Sequence, residues 1–146
     1  MSASTAQLLF RALPGAWMLH REIDDARFGA GTFAGRATFT THADGALRYD
    51  EHGELQLGAW RGPAWRRWIY ALEGDALVIR YPGTNAALHT FRFSPELERG
   101  ARHTHFCGAD RYDASLKHEP DGALALSYVV NGPAKNYRLN TFLTRV

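Results

Sequence analysis

Two stretches decide the fold: residues 15–23, GAWMLHREI, and residues 32–41, TFAGRATFTT. In the first, Trp17, Leu19, Arg21 and Ile23 alternate with Met18, His20 and Glu22. In the second, Phe33, Gly35, Ala37 and Phe39 alternate with Ala34, Arg36, Thr38 and Thr40. A period of two sustained over this length marks half-buried antiparallel strands, one face on a core and the other in water. The same alternation places Leu47, Tyr49 and Glu51 on one face, then Leu55, Leu57 and Ala59, then Leu77, Ile79 and Tyr81. Between the segments stand Asp44-Gly45, His52-Gly53, Gly62-Pro63, Glu73-Gly74-Asp75, Pro82-Gly83, Asp121-Gly122 and Asn131-Gly132-Pro133, all turn chemistry. Their close spacing leaves no room for crossover helices. The pattern predicts an all-β chain: one antiparallel up-and-down barrel of eight to ten strands over about residues 15–145, with the last strand beside the first. Only residues 4–13 read as helix, capped by Ser4 or Thr5 and ended by Pro14-Gly15. So short a helix must dock on the barrel as a lid or plug.

The rest of the composition narrows the class. The chain has 146 residues, 45% hydrophobic and 22% charged, which fits one globular domain over 1–146. Seventeen Lys and Arg against fifteen Asp and Glu leave +2, too balanced for a nucleic-acid or membrane surface. No apolar run approaches the length of a transmembrane helix. The start lacks the basic and apolar regions of a secretory signal, and a single cysteine excludes an internal disulfide, so a cytoplasmic location is expected.

Four clusters carry chemistry. In residues 103–112, HTHFCGADRY, an extended strand puts His103, His105 and Cys107 on one face. Imidazole and thiolate suit zinc or copper, but no second ligand cluster accompanies them, so no metal is assigned. Cys107 as a nucleophile needs a neighbouring base, and buried cysteine is more often a small hydrophobe. Asp110 and Tyr112 suit a general acid–base pair. In residues 64–70, AWRRWIY, Arg66, Trp68 and Tyr70 share one face, and Trp65, Arg67 and Ile69 the other. Either face brings an arginine inward, and a buried arginine requires a carboxylate from the protein or a ligand. Glu51, on the Leu47–Tyr49 face, is the natural partner of Arg66 or Arg67. In residues 131–145, NGPAKNYRLNTFLTR, Lys135, Tyr137, Leu139, Thr141 and Leu143 share a face with Arg145. There Tyr137 and Thr141 are expected in a cavity, while Arg145 stacks on Trp17 as a cation–π pair. His89 shares an apolar face with Phe91 and Phe93, where a histidine is more often core than ligand. Small residues Gly35, Ala37, Ala59 and Ala87 leave volume if they point inward.

Gly15-Ala-Trp17 with the terminal Arg145 resembles the signature that opens lipocalins and other calycin barrels. The blocks GAWMLHR, GTFAGRATF, RYDEHGEL, RRWIY, LHTF, HTHFCGADRY and NGPAKNYRLNTFLTR are more similar still to a bacterial family of uncharacterised lipocalin-like domains of unknown function. On that likeness His105, Cys107, Asp110, Tyr112, Gly132, Pro133, Lys135 and Tyr137 match the family, whereas His103 is less typical. The resemblance implies the barrel and no particular reaction.

Three functions follow as expectations. The first is a small-molecule binder whose cavity holds an aromatic or anionic ligand among Tyr49, Glu51, Arg66, Trp68, Tyr70, His89, Cys107, Lys135 and Tyr137, with no cofactor. The second is a cofactor-independent isomerase, cyclase, decarboxylase or hydrolase using His105, Asp110 and Tyr112. The third is a filled barrel with a structural or interaction role. Exposed tryptophans such as Trp60 and Trp65 are compatible with a homodimer.

Overall fold

The computed structural model describes residues 3–97 and 99–146. A helix, α1 (Thr5–Ala12), precedes ten strands: β1 (Gly15–Asp25), β2 (Gly29–Thr41), β3 (Leu47–Leu57), β4 (Trp60–Glu73), β5 (Ala76–Arg80), β6 (Ala87–Arg92), β7 (Gly100–Cys107), β8 (Asp110–His118), β9 (Leu124–Asn131) and β10 (Asn136–Arg145). They form one antiparallel sheet in the order β6-β5-β4-β3-β2-β1-β10-β9-β8-β7. The predicted pairing of first and last strands is present, with Leu19 opposite Leu143. The sheet curls into a nearly closed barrel whose one weak joint is β6 against β7. There the only bridge among the described residues is Ser94 with Gly100. Among the described residues no helix is long and apolar enough to cross a membrane.

Two of the expected turns are strand instead. His52-Gly53 lies within β3, and Gly62-Pro63 within β4. Gly53 faces Gly35 across β2 and β3. A Cβ on Gly35 would meet the His52 carbonyl at 2.0 Å, so the two glycines let the backbones of β2 and β3 approach closely. Gly35 therefore leaves no cavity volume. Ala37 is core, but Ala59 and Ala87 are exposed and leave none either.

The closed end is built from both termini of the chain. Ser4 caps α1 through a capping box with Gln7, and Leu9 and Leu13 enter the core beneath Trp17. Trp17 donates its indole N–H to the Leu13 carbonyl at 2.9 Å. The Arg145 guanidinium lies 4.1 Å from the Trp17 ring and donates to the carbonyls of Ala12 and Pro14 at the end of α1. Gly15 explains the sequence signature: its φ is +120°, and a Cβ there would press on the Arg145 guanidinium at 2.8 Å. Arg145→Ala removes the cation–π contact and both carbonyl caps, an expected loss of about 1–2 kcal/mol. A fall in Tm of roughly 5 °C checks it. Arg145→Lys should recover less than half, because an ammonium cannot stack and fork at once.

Candidate functional site

With α1 plugging one end, the turns after β1, β3, β5, β7 and β9 surround the other. The inward faces follow from register. Glu51 on β3 lies directly opposite Arg66 on β4, and Arg67 is turned out to pair with Asp50 at 2.7 Å. Arg66, Trp68 and Tyr70 are thus the inward face of β4.

The floor of the interior is a charged cluster. Arg21 on β1 forks onto Glu51, its two terminal nitrogens donating to Oε1 and Oε2 at 2.8 and 2.9 Å. Its Nε donates to Thr141 Oγ1 at 2.7 Å, and Phe33 lies 5.2 Å from the guanidinium. Tyr49 donates its hydroxyl to Glu51 Oε2 at 2.5 Å, and Arg66 Nε donates to Oε1 at 2.7 Å. Each carboxylate oxygen thus has two donors, and Glu51 has little accepting capacity left. Burial pushes the Glu51 carboxyl up, but the hydrogen bond from Arg21 and the two guanidinium charges outweigh it, and it stays below the ordinary carboxylate range. Burial raises the Tyr49 hydroxyl well above its usual value, and the adjacent Glu51 charge adds to this.

Two guanidinium groups against one carboxylate give the floor a net charge of +1. Arg66 carries the surplus. Among the described residues its hydrogen bonding is through Nε alone, and its side chain, 40% exposed, borders the open interior. Beside it is a void of about 20 Å³ bordered by Tyr70, Tyr128 and Thr141, room for about one water-sized group. Burial pushes the Tyr128 hydroxyl up to about 12 and that of Tyr70 higher, so both remain neutral donors near Arg66.

Above the floor a cavity of about 260 Å³ is walled by Trp68, Tyr81, Leu88, Tyr112, Tyr128, Val130, Tyr137 and Leu139 around Arg66. Trp68 and Tyr81 stand 5.3 Å apart, and Arg66 lies 5.8 Å from the Trp68 ring. An apolar, aromatic wall with one cation at its base is a ligand site in its proportions. Tyr137 also borders an open groove of about 590 Å³ between the turn after β1 and the turn after β9.

At the mouth two motifs meet. Lys135, after the Gly132-Pro133 turn, donates to the Tyr112 hydroxyl at 2.7 Å and pairs with Asp110 at 3.3 Å. Both contacts, Tyr112 first, raise the Lys135 ammonium above its ordinary value. Asp110 rests on Gly132, where a Cβ would be 1.9 Å from its carboxylate oxygen.

The expected residues divide accordingly. Glu51, Arg66, Trp68 and Tyr137 line or build the interior. Tyr49 and Tyr70 belong to the aromatic core with Phe39 and touch the small void rather than the main cavity. Lys135 is at the rim. Cys107 is exposed at the end of β7, outside the cavity, because the strand runs past the wall before it turns. His89 is fully buried and meets a histidine rather than the cavity: its Nδ1 is 2.9 Å from Nδ1 of His103 across the β6–β7 joint, and its Nε2 has no partner among the described residues. His105 keeps ring distances of 6.0 Å to Tyr112 and 6.1 Å to His89. His105, Asp110 and Tyr112 therefore do not converge: Asp110 and Tyr112 both turn to Lys135, and no hydrogen bond ties His105 to either among the described residues. Among the described residues no group of three His, Cys, Asp or Glu is disposed to hold a metal ion. Sequence reasoning missed Arg21 and Tyr128 as site residues. The signal for Arg21 was present: a charge on the Trp17–Leu19–Ile23 face.

The chain belongs to a family of unknown function, DUF6314, whose pattern matches residues 13–145. No curated protein matches it in sequence. Among solved structures it is similar to the S-type phycobiliprotein lyase CPES of Guillardia theta, with 10% identity, a TM-score of 0.72 and coverage of 95% of this chain and 91% of that one. It is also similar to a redesigned β-barrel, mFAP1, solved bound to DFHBI, with 13% identity, a TM-score of 0.52 and coverage of 94% and 98%. At such identities the likeness is one of fold.

Proposed function

We propose that this chain binds a small aromatic anion, with a carboxylate as the simplest case, inside the barrel. The observation that carries the reading is the unbalanced floor: Glu51 is saturated, Arg66 spends only Nε on it among the described residues, and the net charge is +1. The Arg66 side chain is 40% exposed, so water solvates its surplus charge until an anion takes that place with a bidentate, charge-assisted contact. The ligand's carboxylate accepts from Arg66, with the Tyr128 and Tyr70 hydroxyls as further donors. Its ring packs between Trp68, Tyr81 and Tyr137. A volume of about 260 Å³ lies just under the usual range for drug-sized ligands and suits one or two fused rings. The solved DFHBI complex adds that a barrel of this fold accommodates a ligand.

Calorimetric titration with 2-naphthoate tests the reading. Arg66→Met should weaken binding about 10- to 100-fold, the worth of losing hydrogen bonds to a charged group, and, by withdrawing the Nε donor from Glu51, should lower Tm by a few degrees. Equal affinity in wild type and variant, or no binding by either, overturns it.

A further inference from the structure

The floor accounts for Arg66 and the wall for the aromatic rings, Tyr112 and Tyr137 among them, but neither uses the Asp110–Lys135 pair where two motifs meet at the mouth. The segment 107–112 brings Asp110 and Tyr112, and the segment 131–137 brings Gly132, Lys135 and Tyr137. Their meeting is specific. Gly132 is bare of side chain where Asp110 lies on it, and its N–H donates to the Lys135 carbonyl at 2.7 Å, which fixes the turn. The Lys135 ammonium then spans Asp110 and Tyr112 and lies 5.4 Å from the Tyr112 ring. Tyr112 is itself cavity wall. The clasp thus puts an ammonium one hydrogen bond away from the ligand space.

Register gives the height of this clasp above the floor. Tyr112, Val130 and Tyr137 form one row across β8, β9 and β10. Thr141, which accepts from Arg21, is four residues further along β10. At 3.2–3.4 Å per residue the clasp row stands about 13 Å from the floor. Arg66 at the base and Lys135, through Tyr112, at the rim therefore border one aromatic channel. Their charges differ: the floor is +1, while Lys135 with Asp110 is neutral.

Resting on the aromatic-anion reading above, we propose that the Lys135–Tyr112 clasp is a second anchor and sets the ligand class: an aromatic monoanion carrying a neutral oxygen function, hydroxyl or carbonyl, at the end remote from its carboxylate. The carboxylate goes to Arg66. The remote oxygen exchanges hydrogen bonds with the Tyr112 hydroxyl and the Lys135 ammonium. A second carboxylate at that end is disfavoured, because Asp110 already neutralises Lys135.

Three rigid probes test this by calorimetry: 2-naphthoate, 6-hydroxy-2-naphthoate and naphthalene-2,6-dicarboxylate. Wild type should bind the hydroxylated probe about tenfold tighter than the parent, and the dicarboxylate no tighter than the parent. Lys135→Met and Tyr112→Phe should each shrink the tenfold preference to threefold or less. Lys135 is exposed, and Phe preserves the Tyr112 ring, so both variants are expected to keep the wild-type Tm. If wild type binds all three probes alike while Arg66→Met still weakens them, the clasp proposal fails and the floor reading stands. If Lys135→Met keeps the preference intact, the clasp is not the anchor. If wild type binds none of them, both readings fall together.

Discussion

Glu51→Gln is expected to destabilise the protein by about 3–5 kcal/mol and to tighten anion binding at the same time. The destabilisation follows from burial. Glu51 is almost wholly buried and, among the described residues, is the sole counter-charge to Arg21, which is buried too. Removing one partner of a buried ion pair leaves a charge without compensation, at about 3–5 kcal/mol. At 2–4 °C per kcal/mol for a chain of this size, Tm falls by roughly 10 °C or more. A glutamine keeps the shape and one acceptor, so packing is not the cause. Affinity moves the other way because the floor changes from +1 to +2: 2-naphthoate should bind several-fold tighter to whatever fraction is folded. The two signs together separate a site from a staple. A purely structural ion network predicts lost stability and no gain in affinity. A control sharpens the stability half. Replacing the whole cluster, Arg21→Met with Glu51→Leu and Arg66→Met, should leave a chain more stable than Glu51→Gln alone, since apolar residues of similar volume need no counter-charge. That triple variant should bind no 2-naphthoate. A loss below 1 kcal/mol in Glu51→Gln would mean that water, not Glu51, balances Arg21.

This opposition explains which parts of the molecule were legible in the sequence. The strands were, because period-two alternation is local. Trp17, Leu19, Phe33, Ala37 and Phe39 all point where their spacing puts them. The closed end was also legible, since Gly15, Trp17 and Arg145 form a pattern of residue types whose contact follows from closing the barrel. The inward face of β4 was not, because both faces carry an arginine and only the Glu51–Arg66 register chooses between them. Arg21 was seen on the core face but not as a site residue, because its partner is on a strand two places away around the wall. His52-Gly53 and Gly62-Pro63 misled for a related reason. At Gly53 the missing side chain lets β2 and β3 approach, and at Gly62 it makes room for the Trp60 ring. Cys107 misled because alternation gives the face of a strand and not where the barrel wall ends.

The pH dependence of stability should carry the mark of His89. The ring is wholly buried at the β6–β7 joint, and its neighbours are His103, His105, Phe91 and Tyr128, with no carboxylate among them. Burial first, then the charges of His103 and His105, push its pKa down to about 3. The unfolded chain returns it to about 6.5. A folded pKa below the unfolded one means that the unfolded state takes the proton first. The neutral ring's contribution is complete above pH 6.5, declines as pH falls through 6.5, and levels off only near 3. At about 1.4 kcal/mol per unit, the loss between pH 7 and pH 4 is about 3 kcal/mol. Burial lowers His103 and His118 as well, and they act with the same sign. Glu51 and Asp50 cannot produce this slope. Their pKa values are lowered by arginine partners, so their contribution is intact above the unfolded carboxylate value and is lost only below about 4.5. The window from 6.5 to 5 therefore belongs to histidine. Urea midpoints at pH 7.5, 6.5, 5.5 and 5.0 should fall steadily in wild type. In His89→Phe, which fills the same space beside Phe91 without a titrating nitrogen, most of that fall should vanish. An unchanged slope in the variant would show that the buried ring takes up its proton in the folded state as readily as in the unfolded one. The His89–His103 contact at 2.9 Å could then not be the neutral bridge that holds the barrel's one weak joint.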